Sequence, residues 1–329
     1  MNALLLNNNT FFAMVAILIA VMFIIMLIWI RLKKGMHRSL FASPYLIWMI
    51  IFTVLPLLLI VYYSFTDASG NFTLDSFKTF LDSNYTKNKI YESMGPEYAS
   101  YISYGSVNTD ILLYSLKMAV ECTLICLLIA YPLAYFITYN HTKHSNIIIM
   151  LFIIPMWMNF LLRTIAWMSI LEDNGLLNTF RQWLGLAKRT YLYTNTAVLL
   201  GMVYNFLPFM IFPIYTSLAK MDYKLIEASY DLGANRFKTF LKVILPISVP
   251  GIISGITMVF MPSVTTFFIP RILGGGNTMM FGDLIENKFL TEGNWNVGSA
   301  LSLIMMVLIL ASLGILRKVD PEGEGGSLL

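Results

Sequence analysis

DYKLIEASYDLGANRFKTFLKVILP, residues Asp222–Pro246, lies between two long apolar segments. Polar, well-patterned sequence in that setting meets something outside the bilayer. Asp222 is placed to cap a short helix whose apolar side is Leu225, Ile226, Ser229 and Leu232, and Gly233 supplies a left-handed residue to end it. Asn235 is placed to cap a second helix with Phe237, Phe240, Leu241 and Ile244 at i, i+3, i+4 and i+7, and Pro246 is expected to stop it. The product is a helix-turn-helix with one face for its own protein and one for a partner.

The surrounding chain sets the class. Of 329 residues, 57% are hydrophobic and only 12% charged, with a mean hydropathy of +0.70. That composition belongs to a polytopic all-α membrane protein and leaves no room for a separate soluble domain. The net charge of +4 says less than its placement, because topology follows Lys and Arg near the ends of spans. The two cysteines, Cys122 and Cys126, stand four apart in an apolar segment and read as small core residues on one helix face.

Working outward, Phe11–Ile30 is an unbroken apolar run followed by Arg31, Lys33, Lys34 and Arg38. A cleaved signal peptide carries its positive charge before the apolar core, so this is expected to be a retained helix with its N-terminus outside. Residues 1–40 are read as this extra span and a cytoplasmic linker, 41–318 as the main membrane domain and 319–329 as a tail. Within the main domain, core spans are expected near 44–65, 111–138, 146–171 (interrupted by Pro155), 197–218, 249–268 and 297–316. Residues 66–110 form the long external loop, with a short helix at Asp75–Leu81. The loop at 219–246 carries Lys220, Lys224, Arg236, Lys238 and Lys242, as the positive-inside rule requires of the cytoplasmic side. Seven spans result, six forming the core.

No chemistry of bond breaking is legible. Gly274-Gly275-Gly276-Asn277-Thr278 lacks the G-x-x-x-x-G-K-[ST] nucleotide loop and reads as a turn. There is no H-E-x-x-H, no nucleophile elbow and no histidine in any expected span. Polar groups inside the spans are therefore the candidates for a pathway, since a charge at the bilayer centre costs about 2.5–3.5 kcal/mol on insertion scales. Lys117 and Glu121 stand four apart and can pair, or Glu121 can guide a cation; Arg163 can snorkel, orient a loop or gate. Trp157, Asn159, Trp167, Tyr204, Asn205 and Tyr215 form a second set of aromatics and amides, suited to an organic cation or to interfacial anchoring.

Glu227-Ala228-Ser229, with Gly233 four residues on and then Val243, Leu245 and Pro246, resembles the EAA loop of bacterial ABC importer permeases, with Ser229 and Val243 as departures. Further motifs narrow the likeness: Pro155-Met156-Trp157-Met158-Asn159 with Arg163, Leu207-Pro208-Phe209-Met210 with Pro213 and Tyr215, Leu273-Gly274-Gly275 with Met280 and Gly282, and Trp295 with Gly298. Over about 46–316 the chain is similar to PotB-type spermidine/putrescine permeases. The resemblance implies a six-helix type I importer core in the bacterial inner membrane, here with one extra N-terminal span. It implies partners: a PotC-type second permease, two PotA-type ATPase subunits and an external PotD-type polyamine-binding protein, with no nucleic acid. ATP and Mg would sit on the ATPase, leaving this chain non-catalytic, without a cofactor or a metal. Glu227, Ala228, Ser229, Asp231, Gly233, Leu245 and Pro246 are then expected to serve ATPase coupling, and Glu121, Trp157, Asn159, Arg163, Tyr204, Asn205 and Tyr215 the substrate pathway. Lys117 and Glu121 match no role of the family. The alternatives are a permease of the same fold for ferric iron, an opine or a phosphonate, and a secondary transporter that needs no ATPase.

Overall fold

The computed structural model describes residues 45, 48–67, 69–81, 107–139, 145–276 and 278–319. The expected first span, most of the external loop 66–110, the 140–144 turn and the tail from residue 320 lie outside them. The chain divides into two compact units, Met1–Tyr63 and Ser64–Leu329. In the described part of the first, helix α1 (Ile50–Ser64) begins with a π-helical turn and continues as an α-helix to the division, with Trp48 tilted over Phe52 at 4.1 Å.

In the second unit all regular elements among the described residues are helices: α2 (Asp75–Leu81), α3 (Val107–Tyr139), α4 (Ser145–Trp157), α5 (Phe160–Leu171), α6 (Leu176–Trp183), α7 (Asn195–Ala219), α8 (Lys224–Asp231), α9 (Arg236–Thr265), α10 (Phe268–Gly274), α11 (Phe281–Glu286, continued by a π-helical turn at Asn287–Thr291) and α12 (Trp295–Val319). One isolated bridge joins Thr66 and Phe72. The all-α polytopic class expected from composition is the one observed. Helices α3, α7, α9 and α12 are each long and apolar enough to cross a bilayer, and α4 with α5 and α6 makes a fifth if the bent pair is one span. The expected count of six core spans is thus not reached among the described residues, because α1 is one of the shorter apolar helices.

Two boundaries differ from expectation for identifiable reasons. Pro155 lies within α4, and the break falls after it at Met158 and Asn159, where the axis turns by 96°. Asn159 takes an extended conformation and its side chain accepts from the Leu161 amide at 2.8 Å, so the break is set by a cap that restarts the helix. Pro246, expected to stop the second helix of the loop, does not. A π-helical turn at Phe240–Ile244 precedes it, and the Leu245 amide bonds the Phe240 carbonyl. Widening the turn lets proline enter the helix without the usual clash, so α9 runs unbroken from the loop into the span.

The centre of the unit is α7 packed between α3 and α9, with α3 and α9 also touching each other. Much of α7 is buried, including Val198, Met202, Met210, Ile211 and Ile214, and α3 contributes Met118, Cys122, Cys126, Ala130 and Ala134 to the same core. Cys122 and Cys126 are free and fully buried: the Ser263 hydroxyl donates to Cys122 Sγ at 3.7 Å, and Cys126 Sγ donates to the Val203 carbonyl at 3.8 Å. The approach of α9 to α7 is made at Gly251 and Gly255, four apart, which lie against Pro213, Ile214 and Met210. A second cluster gathers Phe80, Ala119, Val264, Phe281, Leu301 and Met305, joining α2, α3, α9, α11 and α12.

Candidate coupling hairpin and translocation path

Helices α8 and the start of α9 form the expected hairpin, closed by side chains chosen for the turn. Asp222 Oδ1 accepts from the Lys224 amide at 3.0 Å at the entry, and Asn235 Oδ1 accepts from the Lys238 amide at 2.8 Å at the second start. Between them Gly233 has φ +80°, with its amide on the Tyr230 carbonyl and the Ala234 amide on the Ser229 carbonyl. Those two bonds are the Schellman closure, which satisfies the last carbonyls of α8.

The hairpin's inner and outer faces are not quite those the periodicity predicts. Ile226, Ser229, Thr239 and Ile244 are buried, whereas Leu225 and Leu232 are exposed. Ser229 is the reason: its hydroxyl is 2.8 Å from that of Thr239 and donates to the Ile226 carbonyl, so it locks α8 against α9 from within. Phe240 packs edge-on to Tyr131 and Tyr135 of α3, and the Tyr131 hydroxyl meets Ser248 at 3.0 Å, fixing the hairpin to the core. What remains outside is Glu227, Ala228 and Asp231 with Leu225, Leu232 at 88% exposure and Phe237 at 70%. Of the expected coupling residues, Glu227, Ala228, Asp231 and Pro246 are thus on the surface, Leu245 is half-buried, Gly233 makes the bend and Ser229 is interior.

The expected pathway residues do not form one site. Arg163, on the first turn of α5, is 6% exposed and stands 6.0 Å from the Phe160 ring; its Nε and Nη1 are buried without hydrogen-bond partners. Trp167, one turn on, meets Tyr204 of α7 edge-on at 5.2 Å, and Tyr204 interacts electrostatically with Arg163. These three come together. Asn205 is fully buried and its amide donates to the Gly201 carbonyl, while Tyr215 is half-buried further along α7. Trp157 is 83% exposed at the end of α4, and Asn159 is occupied as a cap. Lys117 and Glu121 do pair, at 3.8 Å, on α3.

A charged cleft was not foreseen. Between α10 and α11, outside the long helices, Arg271 grips Glu286 with two nitrogens at 3.0 and 2.6 Å and reaches Asp283 at 3.6 Å. With Thr278, Met279, Asn287 and Thr291 these groups line an open cleft of about 420 Å³. Asp283 and Glu286 stand three apart on one face of α11, but nothing local in the sequence ties Arg271 to them. Asp283 Oδ2 accepts from the Met280 amide, and the Phe281 amide donates to Ser115 of α3, so α11 is capped by its own chain and by a distant helix.

Burial raises the Asp283 carboxyl, against the pull of the Met280 amide and Arg271, to about 6. The folded chain therefore holds this proton at pH values where an unfolded Asp, titrating near 3.9, has lost it. Stability from this group is present below the unfolded value and is lost as pH rises through about 6. Thermal unfolding of native protein and Asp283→Asn from pH 4 to 7.5 checks this. The native protein should lose stability relative to the variant across that window and run parallel to it above.

The fold is thus a core of long apolar helices with a capped, exposed hairpin between two of its spans. The family described as "Binding-protein-dependent transport system inner membrane component" matches residues 123–322, and the chain belongs to it. It is 34% identical over 270 residues to the spermidine/putrescine transport system permease protein PotB of Escherichia coli K12, covering 80% of this chain and 90% of that protein. It is 36% identical over 285 residues to the PotB protein of Haemophilus influenzae, covering 84% and 94%. Among solved structures, a bacterial ABC transporter involved in the import of the acidic polysaccharide alginate superposes with a TM-score of 0.65 at 15% identity, over 89% of this chain and 99% of that one. That likeness bears on fold alone. The chain is a multi-pass inner-membrane permease of a binding-protein-dependent transport system.

Proposed function

We propose that this chain is one of two membrane subunits of an ATP-driven importer of polyamines, the spermidine and putrescine class. The observation that carries the reading is the hairpin at Asp222–Ile244, built to hold an exposed apolar and acidic face rigidly against α3, in a chain 34–36% identical to spermidine/putrescine permeases. Its partners are a PotC-type permease, two PotA-type ATPase subunits that bind ATP and Mg, and a PotD-type binding protein. This chain makes no bond-breaking step and holds no cofactor. Its N-terminus lies outside and its C-terminus in the cytoplasm, which puts the Lys- and Arg-bearing hairpin on the ATPase side.

Closure of the ATPase dimer pulls on the hairpin through Leu232, Phe237 and a charged contact from Glu227. Because α9 is unbroken through Pro246, that pull passes directly into a spanning helix and rocks it against α3 and α7. Arg163, Trp167 and Tyr204, which meet where α5 packs on α7, are the pathway residues of this reading, with aromatic faces suited to an organic cation.

The test is ATPase activity of the complex reconstituted in lipid with its binding protein. Spermidine or putrescine should raise turnover, and Leu232→Asp/Phe237→Asp should abolish that rise by placing charge on the docking face. Assembly with an ATPase but no polyamine response would remove the substrate assignment and leave the importer.

A further inference from the structure

The stripe of α3 that faces away from its own core is apolar except at one point. Leu113, Val120, Leu124 and Leu128 are exposed along it, and among them stand Lys117 and Glu121, with side chains 70% and 41% exposed. At 1.5 Å per residue they lie about 9 and 15 Å beyond Ile111, where the apolar run of the helix begins. Charges do not face lipid at such depth, so this stretch of the stripe borders a water-filled or protein-lined space.

The pair itself is loosely made. Lys117 Nζ is 3.8 Å from Glu121 Oε1, beyond hydrogen-bond reach, and lysine precedes glutamate, the weaker order for an i, i+4 pair. On the side of the helix turned to the core, the Tyr114 ring packs against the core cluster, and its hydroxyl is buried without a hydrogen-bond partner and interacts electrostatically with Glu121. Tyr114, Lys117 and Glu121 follow each other at i, i+3 and i+7 along the helix. A half-exposed carboxylate held by one exposed ammonium at 3.8 Å, with an aromatic ring on the next turn, supplies the parts of an ammonium site. Lysine's side chain is a butylammonium, the same stem and head as one end of a 1,4-diamine.

We propose that Glu121 is an ammonium-exchange site in the translocation path, held at rest by Lys117 and taken over in transit by one ammonium of the substrate. The inference rests on the polyamine reading above. The exchange swaps one ammonium for another at a single carboxylate, and it leaves the displaced Lys117 ammonium and the substrate's second ammonium facing the adjoining space. Once displaced, Lys117 repels the second ammonium of the substrate and returns to Glu121 as the substrate leaves.

The test is the half-saturating concentration of putrescine and of spermidine for ATPase stimulation and uptake, in the complete complex in lipid. Lys117→Met should lower it at least threefold, Glu121→Gln should raise it at least tenfold, and Lys117→Met/Glu121→Gln should behave like Glu121→Gln. A merely structural ion pair predicts the opposite for the double variant, whose loss of both charges restores native behaviour; that result overturns the proposal, as does an unchanged half-saturation in both single variants. Should Lys117→Met fail to assemble with the ATPase, Lys117→Gln keeps a donor for Glu121 and is read by the same criteria. A native complex stimulated by neither amine overturns the polyamine reading, and the site with it.

Discussion

Gly233→Val should leave a complex that hydrolyses ATP without import, with polyamine-stimulated uptake reduced at least about tenfold, the equivalent of about 1.4 kcal/mol. The residue sits at φ +80° with open space where a side chain would go, so the cost is wholly conformational. A left-handed conformation costs an ordinary L-residue about 1–2 kcal/mol, and a β-branched one is more restricted still. Relief requires the turn to open, which breaks the bonds from Gly233 to Tyr230 and from Ala234 to Ser229 and tilts α8 away from Thr239. Gly233→Asn is the informative partner, because asparagine visits the left-handed region readily. Uptake and ATPase rates measured side by side should place Asn near native and Val far below. Equal uptake in all three would show that the bend does not transmit motion.

Gly251→Leu should be more damaging, and at an earlier stage: loss of the folded subunit. A Cβ at Gly251 would lie 2.6 Å from the Pro213 carbonyl oxygen, 2.6 Å from Ser217 Cβ and 3.1 Å from Ile214 Cα. The carbonyl oxygen and the Cα belong to the α7 backbone, which cannot rotate aside as a side-chain tip can. Helices α7 and α9 must separate, and with them the close packing around Met210 and Gly255. Overpacking a well-filled core costs about 1–3 kcal/mol, and forced separation of two backbones stands at or above the top of that range. Yield in lipid and thermal unfolding report it: Gly251→Ala should already lower the midpoint, and Gly251→Leu should prevent recovery of a folded chain. Gly314→Leu, at a position with nothing within 4 Å, is the control that should fold normally. A stable Gly251→Leu subunit would mean that α7 and α9 do not cross where the structure has them.

How much of this was legible beforehand depends on the range of the interaction. Hairpin caps are local: Asp222, Gly233 and Asn235 each act within a few residues, so the turn at Asp222–Lys238 could be read from spacing alone. Membrane class is a sum over composition, and the burial of Cys122 and Cys126 follows from their place in an apolar helix. The pathway candidates share only a chemical type, which says nothing about neighbours. Hence Arg163, Trp167 and Tyr204 meet, while Asn159 is a cap and Trp157 stands apart at the end of α4.

By itself, then, the sequence determined what is set by period, cap and composition: an all-helical membrane chain, a capped hairpin between two long helices, and a lysine and a glutamate held four residues apart on one helix. Tertiary structure decided what depends on partners far along the chain. It put Ser229 inside against Thr239, drew Arg271 to Asp283 and Glu286, bent the chain by 96° at Asn159 and carried α9 past Pro246 without a stop. The physical reason is that burial, ion pairing and helix continuity are decided by what packs opposite a residue, and for these residues the opposing atoms come from other elements of the fold.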